Sequence, residues 1–260
     1  MTCGLCGSGT NAAVLNTGSH RLVKCAECGI IYTADFKQEM TSYAEGYFSG
    51  KNQYVGRWDE FCAMFEGLLD KVIRFKREGK LLDVGAGVGA LLSVAVKRGF
   101  TVKGVEVSEW AVAFAREEMG LDVLMGPLAD ARLETEAFDV VVINHVLEHV
   151  SVPLELLAEV RRILKNDGLL VIGVPNIGSI MAGLQGNQWP SLRPEEHVWH
   201  FTPGTLKRLL ILAGFKVIYF EAKENYPVSG CRPKSFIKRL INWVSVLTNR
   251  SEAMLVFAQK

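Results

Sequence analysis

Residues 81–92 read LLDVGAGVGALL, and the fold turns on this stretch. Leu81, Leu82 and Val84 surround a single aspartate, Asp83, as in a buried strand. Gly85, Gly87 and Gly89 follow with Ala86 between the first two, and ALLSVAVKRG then reads as a helix closed by Gly99. In such a strand–turn–helix the glycines let the backbone approach a ligand, and the helix start presents free N–H groups. The spacing is G-x-G-x-G, not the G-x-G-x-x-G of dinucleotide sites, which disfavours an NAD-binding domain. Nineteen residues beyond Gly87, Glu106 ends the next apolar run, TVKGVEV. An acid at that point can accept hydrogen bonds from both hydroxyls of a ribose.

The same alternation continues outward. WAVAFAREEMG predicts a helix ended by Gly120, LDVLMG a short third strand, and FDVVVIN a fourth. The fourth is apolar on nearly every residue, as a strand covered on both faces must be. PLELLAEVRRILKNDG predicts a helix with Pro153 in its first turn and a stop at Asn166-Asp167-Gly168. LLVIGVPN is a fifth strand, Thr202-Pro203 opens a helix ended by Gly214, and FKVIYFEA and AMLVFAQK complete the strands. The expected fold is α/β, a doubly wound, mostly parallel seven-stranded sheet. Apolar residues at 61, 64, 65, 68, 69 and 72 predict a helix over 61–75 that covers the sheet. Tyr43, Tyr47, Phe48, Tyr54 and Trp58 lead into it. Tyr43 and Tyr47 are lid candidates, though core packing accounts for them equally well.

Cys3, Cys6, Cys25 and Cys28 form C-x2-C-x18-C-x2-C, a spacing of zinc sites. Each pair is followed by glycine, where a chain wrapping a metal can turn. Four thiolates fill tetrahedral zinc and leave no position for water, so the site is expected to be structural. A redox dithiol and an iron–sulfur centre are the alternatives. The intervening Val14, Leu15, Leu22 and Val23 make too small a core to stand alone, so metal binding should contribute to folding. Residues 1–35 are therefore expected to be a small zinc-ribbon-like module and 36–79 an aromatic-rich linker with the covering helix. The main domain is expected over 80–260, with an amphipathic insertion at about 227–252.

The chain has 260 residues, 22% of them charged, and a formal net charge of +1. No global field recruits nucleic acid or an anionic membrane, so a nucleic-acid role is disfavoured. No apolar run reaches the roughly 20 residues of a membrane span. The start has no signal-peptide pattern, so a cytoplasmic protein is expected. Within the insertion, residues 233–248 place Phe236, Ile237, Leu240, Ile241, Trp243, Val244 and Leu247 beside Lys234, Lys238 and Arg239. Such a helix suits a peripheral membrane contact, packing on the domain, or dimerisation.

His145 to His149 read H-x-x-E-H, the ligand pattern of inverted zinc proteases. That reading needs a regular helix, whereas Pro153 disfavours helical geometry at Val152 and cannot donate to the carbonyl of His149. The string is instead expected to leave the fourth strand at its carboxyl end, where open α/β sheets bind ligands.

LLDVGAGVGALL, GVEVS, FDVVVINHVLEHV and RRILKNDGLLVIGVPN together resemble the class I S-adenosylmethionine-dependent methyltransferases, over about residues 80–222. Among them the chain looks most like the small-molecule branch with the ubiquinone O-methyltransferases. The four-cysteine start is similar to that of bacterial sugar C-methyltransferases. The resemblance implies S-adenosylmethionine as cofactor, with Gly85, Ala86, Gly87 and Gly89 close to it and Glu106 on its ribose. It implies Asp83 orienting the loop or meeting the methionine ammonium, and Asn144 and His145 lining the pocket. Many relatives carry an acid after the third strand; here Gly126-Pro127-Leu128 stands there, so adenine would rest on backbone groups, Val107 and Leu128.

Methyl transfer needs in-line alignment and, for a hydroxyl acceptor, a base. His197 is the first candidate, with His145 and His149 beside it, while a structural role suits His197 as well and His200 is expected to pack or cap. Some ubiquinone O-methyltransferases hold a divalent cation on two glutamates and a histidine. Glu148 and His149 match two of these, and His145 replaces the third. The sugar enzymes carry Tyr-His-Glu-His where this chain has Pro194 in place of the tyrosine, which weakens C-methylation. The expected activity is O-methylation of a hydroxyl on a sugar, quinone-like or polyketide acceptor. The alternatives are N- or C-methylation of a nucleotide-sugar, or a non-catalytic binding protein whose zinc module docks a partner.

Overall fold

The computed structural model describes residues 2–34, 36, 46–51, 54–223 and 243–260. Three strands come first: β1 (Asn11–Asn16), β2 (Arg21–Cys25) and β3 (Ile31–Thr33). A π-helical stretch, Gly46–Lys51, precedes α1 (Trp58–Val72) and β4 (Gly79–Val84). Then follow α2 (Ala90–Lys97), β5 (Phe100–Glu106), α3 (Glu109–Glu117), β6 (Val123–Met125) and β7 (Phe138–Asn144). The chain continues through α4 (Pro153–Ile163), β8 (Leu164–Pro175), α5 (Ile180–Gln185) and β9 (Trp199–His200). It closes with α6 (Pro203–Leu212), β10 (Lys216–Lys223) and β11 (Ala253–Gln259).

The expected seven-stranded sheet is present, in the order β10-β11-β8-β7-β4-β5-β6. β4 pairs in parallel with both β5 and β7, and β5 in parallel with β6. A second, four-stranded sheet runs β1-β2-β3-β9. The chain divides into two compact units, residues 39–144 with 158–171 and 259–260, and residues 1–38 with 145–157 and 172–258.

In the first of these units, Leu81, Leu82 and Val140 to Ile143 are wholly buried, which explains their unbroken apolar runs. α1 starts at Trp58 and buries Phe61, Leu68, Leu69 and Val72, the stripe its spacing predicts. Arg98 bonds Asp70 at 2.8 Å beside it. α4 departs from expectation: it ends at Ile163, and Asn166-Asp167-Gly168 already belong to β8. Two carbonyls of its last turn are taken from outside, Arg162 O by the N–H of Glu136 at 3.0 Å and Ile163 O by that of Ala137 at 2.8 Å. Those bonds satisfy groups that a longer helix would have paired internally. Gly168 is there for space, since a Cβ would lie 2.7 Å from Leu164 Cγ.

In the other unit, the four-stranded sheet shares its core with a later segment. Leu22 is wholly buried against Ala182, Trp189 and Leu192, with Leu15, Ile31, Ile177 and Met181 packed around them. Val14, by contrast, is exposed. α6 begins at the predicted Thr202-Pro203, where Thr202 and Thr205 form a reciprocal capping box. Of the amphipathic insertion, residues 227–242 lie outside the described residues. Residues 243–247 are helical, with Trp243 and Leu247 exposed and Ser245 buried. No described helix is long and apolar enough to cross a membrane.

Candidate functional site

The first cluster of predicted residues lies at the end of β4. Gly85, Gly87 and Gly89 all have positive φ, at 78°, 52° and 86°. At Gly89 a Cβ would stand 2.3 Å from Leu121 Cδ1, so only glycine lets α2 pack against the segment after α3. The turn is pinned from β5. The N–H groups of Gly85 and Ala86 both donate to Val105 O, at 2.8 and 3.1 Å. Glu106 Oε2 accepts from Gly87 N–H at 2.8 Å, while Oε1 accepts from Val107 N–H at 2.8 Å and Ser108 N–H at 2.9 Å. No side chain caps the first turn of α2.

Two buried carboxyls sit in this turn. Burial above all, then the charge of Glu106, pushes Asp83 from 3.8 up to about 8. Burial also raises Glu106, against its three backbone N–H bonds, which favour the charged form. Asp83 is therefore mostly neutral near pH 7, and a cation brought to it would favour its ionised form. Phe48 is buried against Val88 and Ala111, with its ring stacked on Trp110 at 5.8 Å. It lies 3.4 Å from where a Gly87 Cβ would be, so the aromatic stretch does reach the loop. Tyr47 meets Phe48 edge-on at 5.1 Å, whereas Tyr43 lies outside the described residues. Leu128 is buried, Val107 is exposed, and Asn144 is half-buried at the end of β7.

The second cluster is made of histidines in the other unit. His145 follows β7 in a left-handed conformation, φ 57°, unusual for any residue but glycine. Its N–H donates to Gly173 O at 2.8 Å and its Nδ1 lies 3.1 Å from Glu148 Oε1. Residues 147–149 form a turn closed by His149 N–H to Val146 O, 2.9 Å, not the helix a zinc protease requires. Glu148 is buried, and its Oε2 has no hydrogen-bond partner among the described residues. His149 Nδ1 is 3.0 Å from Glu196 O; a carbonyl only accepts, so the proton is on Nδ1 and the lone pair on Nε2.

The rings of His149 and His197 meet edge-on at 4.6 Å. Ligand atoms of Glu148, His149 and His197 all lie within 4.8 Å of one another, a set that could hold a metal. Burial, and then the neighbouring His149, His200, His145 and Arg193, drive His197 well below 6.5. Burial takes His200 down to about 3. Both are neutral imidazoles at pH 7.

The four cysteines converge as their spacing predicts. Sγ of Cys3 and Cys28 are 3.7 Å apart, those of Cys6 and Cys25 are 3.5 Å apart, and all four fall within 4.8 Å. Zinc–sulfur bonds of about 2.3 Å give a tetrahedron with edges of about 3.8 Å, so the donor set fits zinc. Gly7 and Gly29 take positive φ, at 73° and 75°, and donate to Cys3 O and Cys25 O. Burial works to raise Cys25, but N–H groups of Cys28 and Glu27 and the neighbouring thiols bring it down to about 6. Burial raises the thiols of Cys3 and Cys28 instead, and a bound metal would favour their thiolates.

Residues 59–219 match the family described as "Methyltransferase domain". The chain belongs to that family. It is similar to the ubiquinone biosynthesis O-methyltransferase of Caulobacter sp., 34% identical over 40% of this chain and 47% of that protein. It thus spans about half the length of that relative. The protein of the same description from Cereibacter sphaeroides is 30% identical over 66% of this chain and 74% of the other. An S-adenosylmethionine-dependent methyltransferase structure from Archaeoglobus fulgidus shares the fold, with a TM-score of 0.59 and 23% identity over 82% of this chain and 99% of that one.

For a methyltransferase of this kind, the loop residues, Asp83, Glu106 and the aromatic cover fall together in one unit. The histidines and cysteines fall together in the other. The sequence reading missed the partners that organise the histidines. His197 O accepts from the Thr33 hydroxyl at 2.8 Å, and His200 Nε2 lies 3.1 Å from the same oxygen. Nothing in the local pattern links a threonine five residues past the last cysteine to position 197. A cavity of about 320 Å³ lined by Pro203, Gly204, Lys207, Val217, Phe220 and Val256 contains none of the predicted site residues.

Proposed function

We propose that the chain transfers a methyl group from S-adenosylmethionine to a hydroxyl of a small molecule of sugar, quinone-like or polyketide type. The observation that carries the hydroxyl is the buried Glu148 carboxyl beside the imidazoles of His149 and His197; its Oε2 has no hydrogen-bond partner among the described residues. A buried acceptor atom without a donor is costly, and an acceptor hydroxyl would supply one. The names of the relatives point the same way, to O-methylation.

When bound, the cofactor supplies an electrophilic methyl on a sulfonium with an excellent leaving group. In this reading Gly85, Ala86, Gly87 and Gly89 keep the backbone close to it, and Glu106 accepts from its ribose. Asp83 receives the methionine ammonium or orients the loop. Val107 and Leu128 flank the adenine, and Asn144 lines the cofactor pocket. The hydroxyl proton passes to His149 Nε2, whose lone pair the Glu196 carbonyl secures. His197 is disfavoured as the base, because its burial holds it well below the usual histidine value.

A second reading also has support. Glu148, His149 and His197 are close enough to share a divalent cation, which would lower the pKa of the hydroxyl directly. Zinc on Cys3, Cys6, Cys25 and Cys28 is structural in either reading. Metal-bound thiolates, as opposed to disulfides, suit a reducing cytoplasm.

Calorimetry with S-adenosylmethionine and its demethylated product should give micromolar binding. No binding of either would sink the proposal and favour a non-catalytic binding protein. Against a panel of hydroxylated acceptors, His149→Ala should abolish turnover and spare cofactor binding. Full turnover in that variant would refute the base assignment. A second metal per chain, lost with His149→Ala, would support the cation reading.

A further inference from the structure

Thr33 ends β3, on the far side of the four-cysteine turns from the chain start. β3 pairs antiparallel with β9, Ile31 opposite His200 and Tyr32 opposite Trp199. Thr33 N–H donates to Val198 O at 2.9 Å. Its hydroxyl has one proton, and the His197 carbonyl, which can only accept, takes it at 2.8 Å. At 3.1 Å from His200 Nε2 the same oxygen must then accept, which fixes the proton of His200 on Nε2. The side chains of Thr33, His197 and His200 are all buried, at 3%, 5% and 4% exposure, so these bonds face no competition from water.

The connection continues past the histidines. Val198 N–H and Trp199 N–H both donate to Glu148 O, at 2.9 and 3.2 Å. Trp199 Nε1 donates to Val150 O at 2.8 Å, and its ring packs 5.8 Å from Tyr32. Gly4, between the first two cysteines, lies close under the Trp199 ring: a Cβ there would stand a tight 3.1 Å from Trp199 Cη2. Arg208 reaches Glu27 O, between the second two, at 3.1 Å. The first cysteine turn thus abuts the segment that carries His197 and His200, and the second abuts α6, which follows that segment directly.

We propose that the four-cysteine module is a positioning part of the histidine site, with Thr33 as the residue through which it sets the 197–200 segment and, through Glu148, the 145–149 turn. This deepens the proposed function, on which its catalytic meaning rests. It stands against the reading of the module as a platform for an outside partner.

The test uses the full chain with metal bound, labelled uniformly with 15N. Thr33→Val keeps the shape and removes the hydroxyl; Thr33→Ser keeps the hydroxyl. In Thr33→Val, amide exchange at residues 33, 198 and 199 should rise at least tenfold, and the His200 ring should lose its Nε2–H signature. Thr33→Ser should restore both. Stripping the metal with a chelator should raise exchange at the same amides and leave those of Gly85 to Gly89 and the cofactor affinity within twofold. Unchanged exchange at 198 and 199 in both Thr33→Val and stripped protein would overturn the proposal. A uniform rise that includes Gly85 to Gly89 would overturn it too, since the hydroxyl would then serve only overall stability. Failure to bind cofactor with the exchange pattern as expected would sink the proposed function and leave the positioning role standing.

Discussion

Replacing Asp83 by asparagine should change how the stability of the chain depends on pH. The folded carboxyl is held at about 8 by burial and by Glu106, whereas the unfolded one ionises near 3.8. Between those values the folded chain binds one proton more than the unfolded chain, so stability falls as pH rises across the window. The loss is about 1.4 kcal/mol per pH unit, on the order of 6 kcal/mol by the time both states are ionised. Asparagine fills the same space and does not titrate. The two proteins should therefore diverge by about 3 kcal/mol between pH 5.5 and 7.5, the variant gaining relative to the parent. Glu106 is raised as well and contributes a slope of the same sign to both, which cancels in the difference. Urea unfolding at several pH values between 5 and 8.5 reads the effect directly. Parallel curves for parent and variant would mean that Asp83 ionises normally inside the fold, and the reasoning about its burial would fail. Cofactor binding adds a companion measurement. A cation that ionises Asp83 must release a proton near pH 7, visible as an enthalpy that changes with buffer.

Gly89→Ala should cost about 2–4 kcal/mol, from the left-handed φ and the clash with Leu121, measured by urea midpoint. Elemental analysis of purified chain should find one zinc, lost on substituting Cys3 or Cys28 by serine. His200 is buried neutral at about 3, so the unfolded chain takes up a proton below pH 6.5 that the folded chain refuses. Stability is then lost as pH falls, and His200→Gln should reduce that loss by up to about 1.4 kcal/mol per pH unit between pH 6 and 4, again by urea unfolding.

What the sequence made legible was local. Strand β4, the glycine turn and α2 are contiguous, and each carries its own signal: an apolar run, glycines at alternate positions, helical spacing. The same holds for the cysteine pairs with their following glycines and for the Thr202-Pro203 helix start. The end of α4 was misread because its stop comes from the N–H groups of Glu136 and Ala137, which no turn residue near Ile163 announces. The left-handed His145 was equally hidden, since nothing but glycine, or sometimes asparagine, advertises that conformation. The β3–β9 pairing is two residues long and joins positions about 170 apart, too short for any periodicity to show.

The two parts that the sequence reading kept separate need each other for a physical reason. Residues 186–201 are nearly free of regular structure yet bury Trp189, Leu192, His197, Trp199 and His200. Irregular backbone taken out of water needs hydrogen-bond partners from outside itself. The edge of β3, the Thr33 hydroxyl and the carbonyl of Glu148 supply them. The module in turn shares its core with that segment: Leu22 packs against Trp189 and Leu192, and Val14 is exposed. A metal on the four cysteines would therefore stiffen a sheet in which β3 lies between β2 and the histidine segment. Losing it would loosen both the module and the segment that β3 braces, while the glycine loop keeps its own supports in β5 and Glu106.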